Sequence, residues 1–198
     1  MFNNLVCLPA VLYLGAAIHD FRSGTSFAAE DLPTAWTLLW QTYFIIFFED
    51  LMFCFTHRLL HTRLLYKHVH KLHHAYTQPV GLCAEYAHPL EFVFGNVLPI
   101  VLPMTLLGKR LHQFTFLAIG TQRIIGTTVG HSGYNFPWDA SELPPFRTDT
   151  PYHDFHHKGN VDGNFGGGLY LIDYALGYNA DYFRHVDAQE ALRHDKLS

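Results

Sequence analysis

The sequence predicts an all-α protein: a membrane stem of about three to four hydrophobic helices under a polar, histidine-rich cap. Three observations predict it. Of the 198 residues, 49% are hydrophobic and only 15% charged. An average soluble domain is about 25% charged, so too little charge remains to solvate a whole surface. The apolar residues gather in four segments, residues 5–18, 36–55, 89–108 and 111–130. The 15 histidines outnumber the 13 lysines and arginines, and most fall in the polar stretches 57–88 and 131–198. A chain of this length is normally one domain, and residues 1–198 are read as one. A formal net charge of -4 gives no basic footprint, which argues against a nucleic-acid partner.

Residues 5–18 are short for a span, which needs about 20 apolar residues. They lack the basic start and small-residue cleavage site of a signal peptide, so they read as a short or truncated membrane helix. A polar connector, residues 20–35, contains Ser23, Gly24 and Pro33. Residues 36–55 are long enough to cross, with Trp36, Trp40 and Tyr43 placed as an interfacial belt. Glu49 and Asp50 interrupt this segment and should face protein or a metal rather than lipid. Residues 89–130 read as a hairpin whose first arm is kinked by Pro99 and Pro103, with Lys109 and Arg110 at the turn. Arg123 in the second arm must find a partner or snorkel. Cys7, Cys54 and Cys83 have no short spacing and read as free, buried thiols.

A hairpin leaves and re-enters at one face, so histidines before residue 89 and after residue 130 share a side and can converge. Arg58, Arg63, Lys67 and Lys71 lie on that side, whereas connector 20–35 holds three acids and one Arg. The positive-inside rule then makes the histidine side cytosolic. Lys109 and Arg110 argue the other way unless the hairpin stops short of a full crossing.

Three histidine boxes carry the chemistry. His57 and His61 stand at i, i+4, and His70, His73 and His74 at i, i+3, i+4. His153, His156 and His157 repeat the second spacing. On a helix these offsets share a face. A single pair arises by chance as a solvated helix face, but three boxes in one short chain point to metal. Histidine is the commonest metal ligand. A structural zinc takes four ligands and a catalytic zinc usually three, so eight imidazoles suit two ions, and the boxes must be divided between them. Imidazole suits iron, copper and zinc alike. Iron fits best chemically because two irons can supply electrons to O₂. The carboxylate-bridged arrangement needs two Glu-x-x-His motifs, and only Glu85 with His88 fits. The metalloprotease pattern H-E-x-x-H is absent.

The boxes, in this order between apolar segments, resemble the fatty acid hydroxylase/sterol desaturase superfamily. Glu49 and Asp50 before the first box, residues 66–74, residues 84–91 and the run from His131 to Tyr134 narrow the likeness to methylsterol monooxygenases, the sterol C-4 methyl oxidases. The resemblance covers roughly residues 44–180. It implies a multi-pass enzyme of the endoplasmic reticulum membrane with its metal site facing the cytosol. It also implies two Fe ions, O₂ as co-substrate, a sterol or other lipid as substrate, and electrons from NAD(P)H through a cytochrome b-type haem protein. It adds His131 as a ninth imidazole ligand. Asn135, acting through water, and His88 are the candidates for the tenth position. His88 also reads as a helix-start histidine bonded to Glu85 or Glu91. Glu49, Asp50 and Asp154 are candidates to orient ligand imidazoles, since such rings pass their other N–H to a carboxylate or carbonyl. His19, His68, His112, His185 and His194 are assigned no ligand role; His68 lies about 200° around a helix from His70.

Two departures accompany the resemblance. The family is typically longer, so part of its N-terminus is expected to be missing here. From Ile172 to Tyr178 the chain keeps only Asp173 and Gly177 of the family's pattern. The expected reaction is oxidation of a sterol 4-methyl group, the substrate arriving from the bilayer past residues such as Phe92, Phe94, Phe114 and Phe116, for which plain packing is the simpler role. A sterol or fatty-acyl desaturase and a fatty-acid hydroxylase would use the same site. A non-catalytic zinc- or sterol-binding membrane protein is the alternative from another class.

Overall fold

The structure, a computed structural model, describes residues 2–18, 25–136, 146–159 and 162–197. Among these there is no strand, only two isolated bridges, Ser26–His112 and Arg147–Leu169. A π-helical turn, Asn3–Cys7, leads into α1 (Leu8–Ile18), and α2 (Ala35–Leu60) is the longest helix. The short α3 (Arg63–His68) precedes 3₁₀ turns at His70–Ala75 and Gly81–Glu85. The first hairpin arm is α4 (Pro89–Glu91), a π-helical stretch Phe92–Val97 and α5 (Leu98–Leu107). The second arm is α6 (Gln113–Gly130). The cap is completed by α7 (Thr150–Gly159), α8 (Leu171–Leu176) and α9 (Ala180–Leu197).

Local chemistry sets these limits. The Thr34 side chain accepts from Thr37 N–H and starts α2. Pro89 occupies the first turn of α4, where a missing N–H costs nothing. Pro99 and Pro103 each remove an amide donor from the first arm, and the turn before them widens, with Leu98 N–H bonding to Val93 O. The predicted kink is thus a π-helical stretch. Gly108, at φ 52°, makes the sharp exit at the hairpin tip.

The helices form a bundle with two ends. At one end Asn3 Nδ2 donates to Ala87 O at 2.8 Å, tying the π-helical turn before α1 to the segment below the histidines. At the other end the connector meets the hairpin tip. Gln113 N–H donates to Ser26 O at 2.8 Å, His112 Nε2 lies 3.0 Å from Ala28 O, and Gln41 Nε2 donates to Arg110 O at 2.7 Å. Gln41 lies about 24 Å of helix below His57, at 1.5 Å per residue. The hairpin therefore runs most of the bundle's length, and Lys109 and Arg110 share the far end with Glu30 and Asp31. Near this end Ile45, Met104, Leu107, Leu111 and Ile119 make the buried apolar cluster, with Phe116 packed on it.

Ala35–Leu60 and Pro89–Arg110 are long and apolar enough to cross a membrane. The Asn3–Ala17 helix is apolar but shorter. The second arm departs from expectation: α6 has the length, but Gln113, Gln122 and Arg123 lower its apolarity. Trp36, Leu106, Phe94, Leu117 and Ile124 are exposed on the outward faces of the stem. So is Phe114, while Phe92 is buried and Phe116 sits in the core cluster. Phe92 and Phe116 thus pack within the stem, while Phe94 and Phe114 face away from it. Cys7, Cys54 and Cys83 are free thiols, Cys7 only half-buried.

Candidate metal centre

The polar end gathers the nine histidines into two clusters. His57, His61, His70, His74 and His156 form one, and His73, His131, His153 and His157 form the other. Within each cluster the candidate ligand atoms lie within 4.8 Å of one another. His57 projects from the last turn of α2, and His61 is its C-cap. His131 is the C-cap of α6. The second box is a 3₁₀ turn rather than an α-helix, and it sends His70 and His74 to one cluster and His73 to the other. The third box, on α7, sends His156 to the five-histidine cluster and His153 and His157 to the four-histidine cluster. Both boxes therefore straddle the pair, and three imidazoles of a box do not point to one place.

The ring nitrogens are sorted by role. In the first cluster Nε2 of His70 lies 3.1 Å from those of His57 and His61 and 3.0 Å from that of His74. The Nε2 atoms of His74 and His156 are 3.2 Å apart. In the second, the separations are 3.4 Å for His73–His131, 2.9 Å for His131–His153 and 3.1 Å for His153–His157. The Nδ1 atoms of four rings face acceptors: His57 toward Phe165 O (3.0 Å), His70 toward Glu91 Oε1 (2.9 Å), His131 toward Thr127 O (2.8 Å) and His156 toward Gly163 O (2.7 Å). Backbone carbonyls only accept, so in His57, His131 and His156 Nδ1 carries the proton and Nε2 presents a bare lone pair. Lone pairs converging at 3 Å repel unless a cation lies between them. Nitrogens about 2.1 Å from one ion stand about 3.0 Å apart at right angles and about 3.4 Å apart at tetrahedral angles. The observed separations fit one ion in each cluster.

Burial keeps the rings neutral. Desolvation lowers His61 and His157 to about 4, His131 to about 3 and His74 to about 2. His70, His73, His153 and His156 are also held well below the ordinary imidazole range by the same cause, assisted by neighbouring imidazoles. Neutral imidazole is the form that ligates metal.

The fatty acid hydroxylase family model matches residues 42–178, a stretch that holds all nine clustered histidines. The chain belongs to the fatty acid hydroxylase family. It is 40% identical to a very-long-chain aldehyde decarbonylase of Oryza sativa subsp. indica over 153 residues, 76% of this chain and 56% of that protein. It is 34% identical to methylsterol monooxygenase 2-2 of Arabidopsis thaliana over 186 residues, 93% of this chain and 68% of that protein. It is 39% identical to a methylsterol monooxygenase of Aspergillus fumigatus over 147 residues, 71% of this chain and 49% of that protein. The chain spans a little over half the length of its rice relative. No solved structure matches it.

Within this fatty acid hydroxylase chain the acids are placed differently from expectation. Glu49 Oε1 accepts from Arg123 Nε at 2.7 Å, and among the described residues no hydrogen bond joins it to an imidazole. The two groups for which the sequence demanded partners thus satisfy each other. Asp50 Oδ1 accepts from Gly167, Gly168 and Leu169 N–H at 3.0, 3.0 and 3.1 Å. It holds the glycine-rich loop rather than a ring, and that loop supplies the Phe165 and Gly163 carbonyls. Asp154 pairs with Lys158 one turn on, as a surface i, i+4 pair. His88 accepts from Leu90 N–H at 3.2 Å as the N-cap of α4, bonded to neither Glu85 nor Glu91, and joins neither cluster. Asn135 is exposed and borders a cleft beside His131 and His153. His68 and His194 are exposed, His112 caps α6, and His185 lies against Phe155; His19 lies outside the described residues.

The orienting carboxylate that sequence reasoning missed is Glu91. It is buried in the first turn of an apolar arm, the same signal that singled out Glu49 and Asp50. Asp173 was noted only as a kept residue. It is a buried hub, accepting from Tyr152 OH at 2.6 Å, Gly166 N–H at 2.7 Å and the Cys54 thiol at 3.4 Å.

Proposed function

We propose that this chain is a membrane oxygenase that binds two irons and oxidises a 4-methyl group of a sterol. The observation that carries the reading is the pair of buried, all-imidazole clusters with converging Nε2 lone pairs. The sterol assignment is supported by the motif likeness and by relatives named methylsterol monooxygenase. When bound, the irons with O₂ supply the oxidising power for an unactivated C–H bond. The balanced change is a methyl group, O₂, two electrons and two protons giving a primary alcohol and water. Further rounds carry the alcohol toward the carboxylate. The electrons come from NAD(P)H through a cytochrome b-type haem protein.

The chain's own residues do the remaining work. Phe165 O, Gly163 O, Thr127 O and Glu91 orient the rings of His57, His156, His131 and His70, which keeps these four Nε2 atoms aimed inward. Burial excludes water and protons from the imidazoles. The four-histidine cluster is one ligand poorer than its neighbour and borders the cleft, where Asn135 can hold a water without adding charge. An open position of this kind is what a reacting metal needs. Arg58, Arg63, Lys67 and Lys71 near the histidine end favour a cytosolic orientation, in keeping with an endoplasmic reticulum enzyme. Sterol and aldehyde profiling of cells lacking this gene tests the substrate. Accumulated 4-methyl sterols support the reading. Unchanged sterols with accumulated long-chain aldehydes would overturn it in favour of the activity named in the rice relatives.

A further inference from the structure

Two spaces meet beside the four-histidine cluster. The outer one is an open cleft between α2 and α6. Ile46 of α2 and Gly126 of α6 line its stem side, and Thr148 and Leu169 its cap side. The inner one is a narrow chamber touching His57 and His70 of one cluster and His73, His131 and His153 of the other. Phe53, Arg123 and Thr127 border both spaces. Arg123 is held there by Glu49 and lies over the Phe53 ring, 5.7 Å from its centroid.

We infer that this cleft binds the lipid substrate, and that Arg123 at its throat holds an oxygen atom borne by the carbon beside the one that carries the oxidised methyl group. The inference rests on the oxygenase reading and adds the substrate's route and its polar anchor. Three features carry it. The cleft lies between α2 and α6, whose outward faces carry exposed apolar side chains such as Phe47, Leu117 and Ile124. Arg123 borders both spaces whereas Glu49 borders only the outer one, and the Arg123 side chain is the more exposed of the pair, 23% against 5%. A guanidinium has five N–H donors and no acceptor, and one carboxylate leaves donors over. The group it recognises is therefore an acceptor oxygen, such as a hydroxyl vicinal to the methyl-bearing carbon. An ion pair serving only to neutralise α6 would need no opening to both spaces.

Gly126 makes the route testable. A Cβ built there meets nothing within 4 Å, and the same holds for Gly120, which does not line the cleft. Full-length protein in nanodiscs should lose at least tenfold in turnover of a 3β-hydroxy-4-methyl sterol in Gly126→Leu, with iron content unchanged. Gly120→Leu should match wild type. The double variant Glu49→Gln with Arg123→Gln keeps a neutral hydrogen-bonding pair and avoids a buried lone charge. It should raise KM for the 3β-hydroxy sterol about tenfold and leave KM for the 3-deoxy analogue unchanged. Wild-type turnover in Gly126→Leu, or equal behaviour of the double variant toward both sterols, overturns the inference. A wild-type protein that holds iron but oxidises neither sterol refutes the oxygenase reading itself, a different outcome.

Discussion

Glu91 shows how much one side chain can govern at this site. It receives the His70 Nδ1–H inside a buried pocket, and His70 Nε2 lies close to three other ring nitrogens of its cluster. Removing such an outer partner typically costs 10–100-fold in metal affinity. Glu91→Ala should therefore weaken iron binding by roughly that factor, and Glu91→Gln, whose amide oxygen still accepts, should recover most of it. Competitive chelator titration measures this; equal affinity in Glu91→Ala would remove Glu91 from the site. The histidines also imply a pH response. Desolvation holds His61 and His157 near 4 in the fold, against 6.5 in the open chain. With a depressed folded pKa, the unfolded chain takes protons first. The stabilisation is complete above about pH 6.5 and fades as pH falls toward 4. Metal-free protein in detergent should melt lower at pH 5 than at pH 7.5; equal melting would contradict neutral, buried rings.

At the scale of elements, the glycine-rich loop is a clamp. Asp50 on α2 accepts three successive backbone N–H groups, and the loop's carbonyls at Gly163 and Phe165 orient His156 and His57. Asp50→Ala strands three donors at about 1–3 kcal/mol each, so it should lower both thermal stability and iron content. Asp50→Asn, which keeps the acceptor oxygen, should restore much of each. Wild-type iron in Asp50→Ala would dissociate the loop from the centre.

The helices and boxes were legible because their signals are local: apolar runs, two prolines, histidines at fixed offsets. How the boxes divide between clusters was not legible ring by ring, since the second box is a 3₁₀ turn and its facing depends on tertiary packing. Backbone carbonyls such as Phe165 O leave no residue signature at all. The Glu49–Arg123 pair was visible only as two separate demands, because its members are 74 residues apart.

Over the whole molecule, the bundle has a histidine end and a far end where the connector meets the hairpin tip. In a Cys7→Ser background, Thr77→Cys and Gln189→Cys should both react with an impermeant thiol reagent added to sealed microsomes, and Lys109→Cys should not. Reaction at only one of the two cap positions would contradict a single histidine face. Two ions belong in two separate imidazole clusters, one in each. Metal analysis of purified protein, wild type beside His73→Ala and His68→Ala, tests this. Wild type and His68→Ala should each carry two irons per chain. His73→Ala should carry fewer irons and show no turnover. A single ion, zinc in place of iron, or an undiminished iron content in His73→Ala would contradict this assignment.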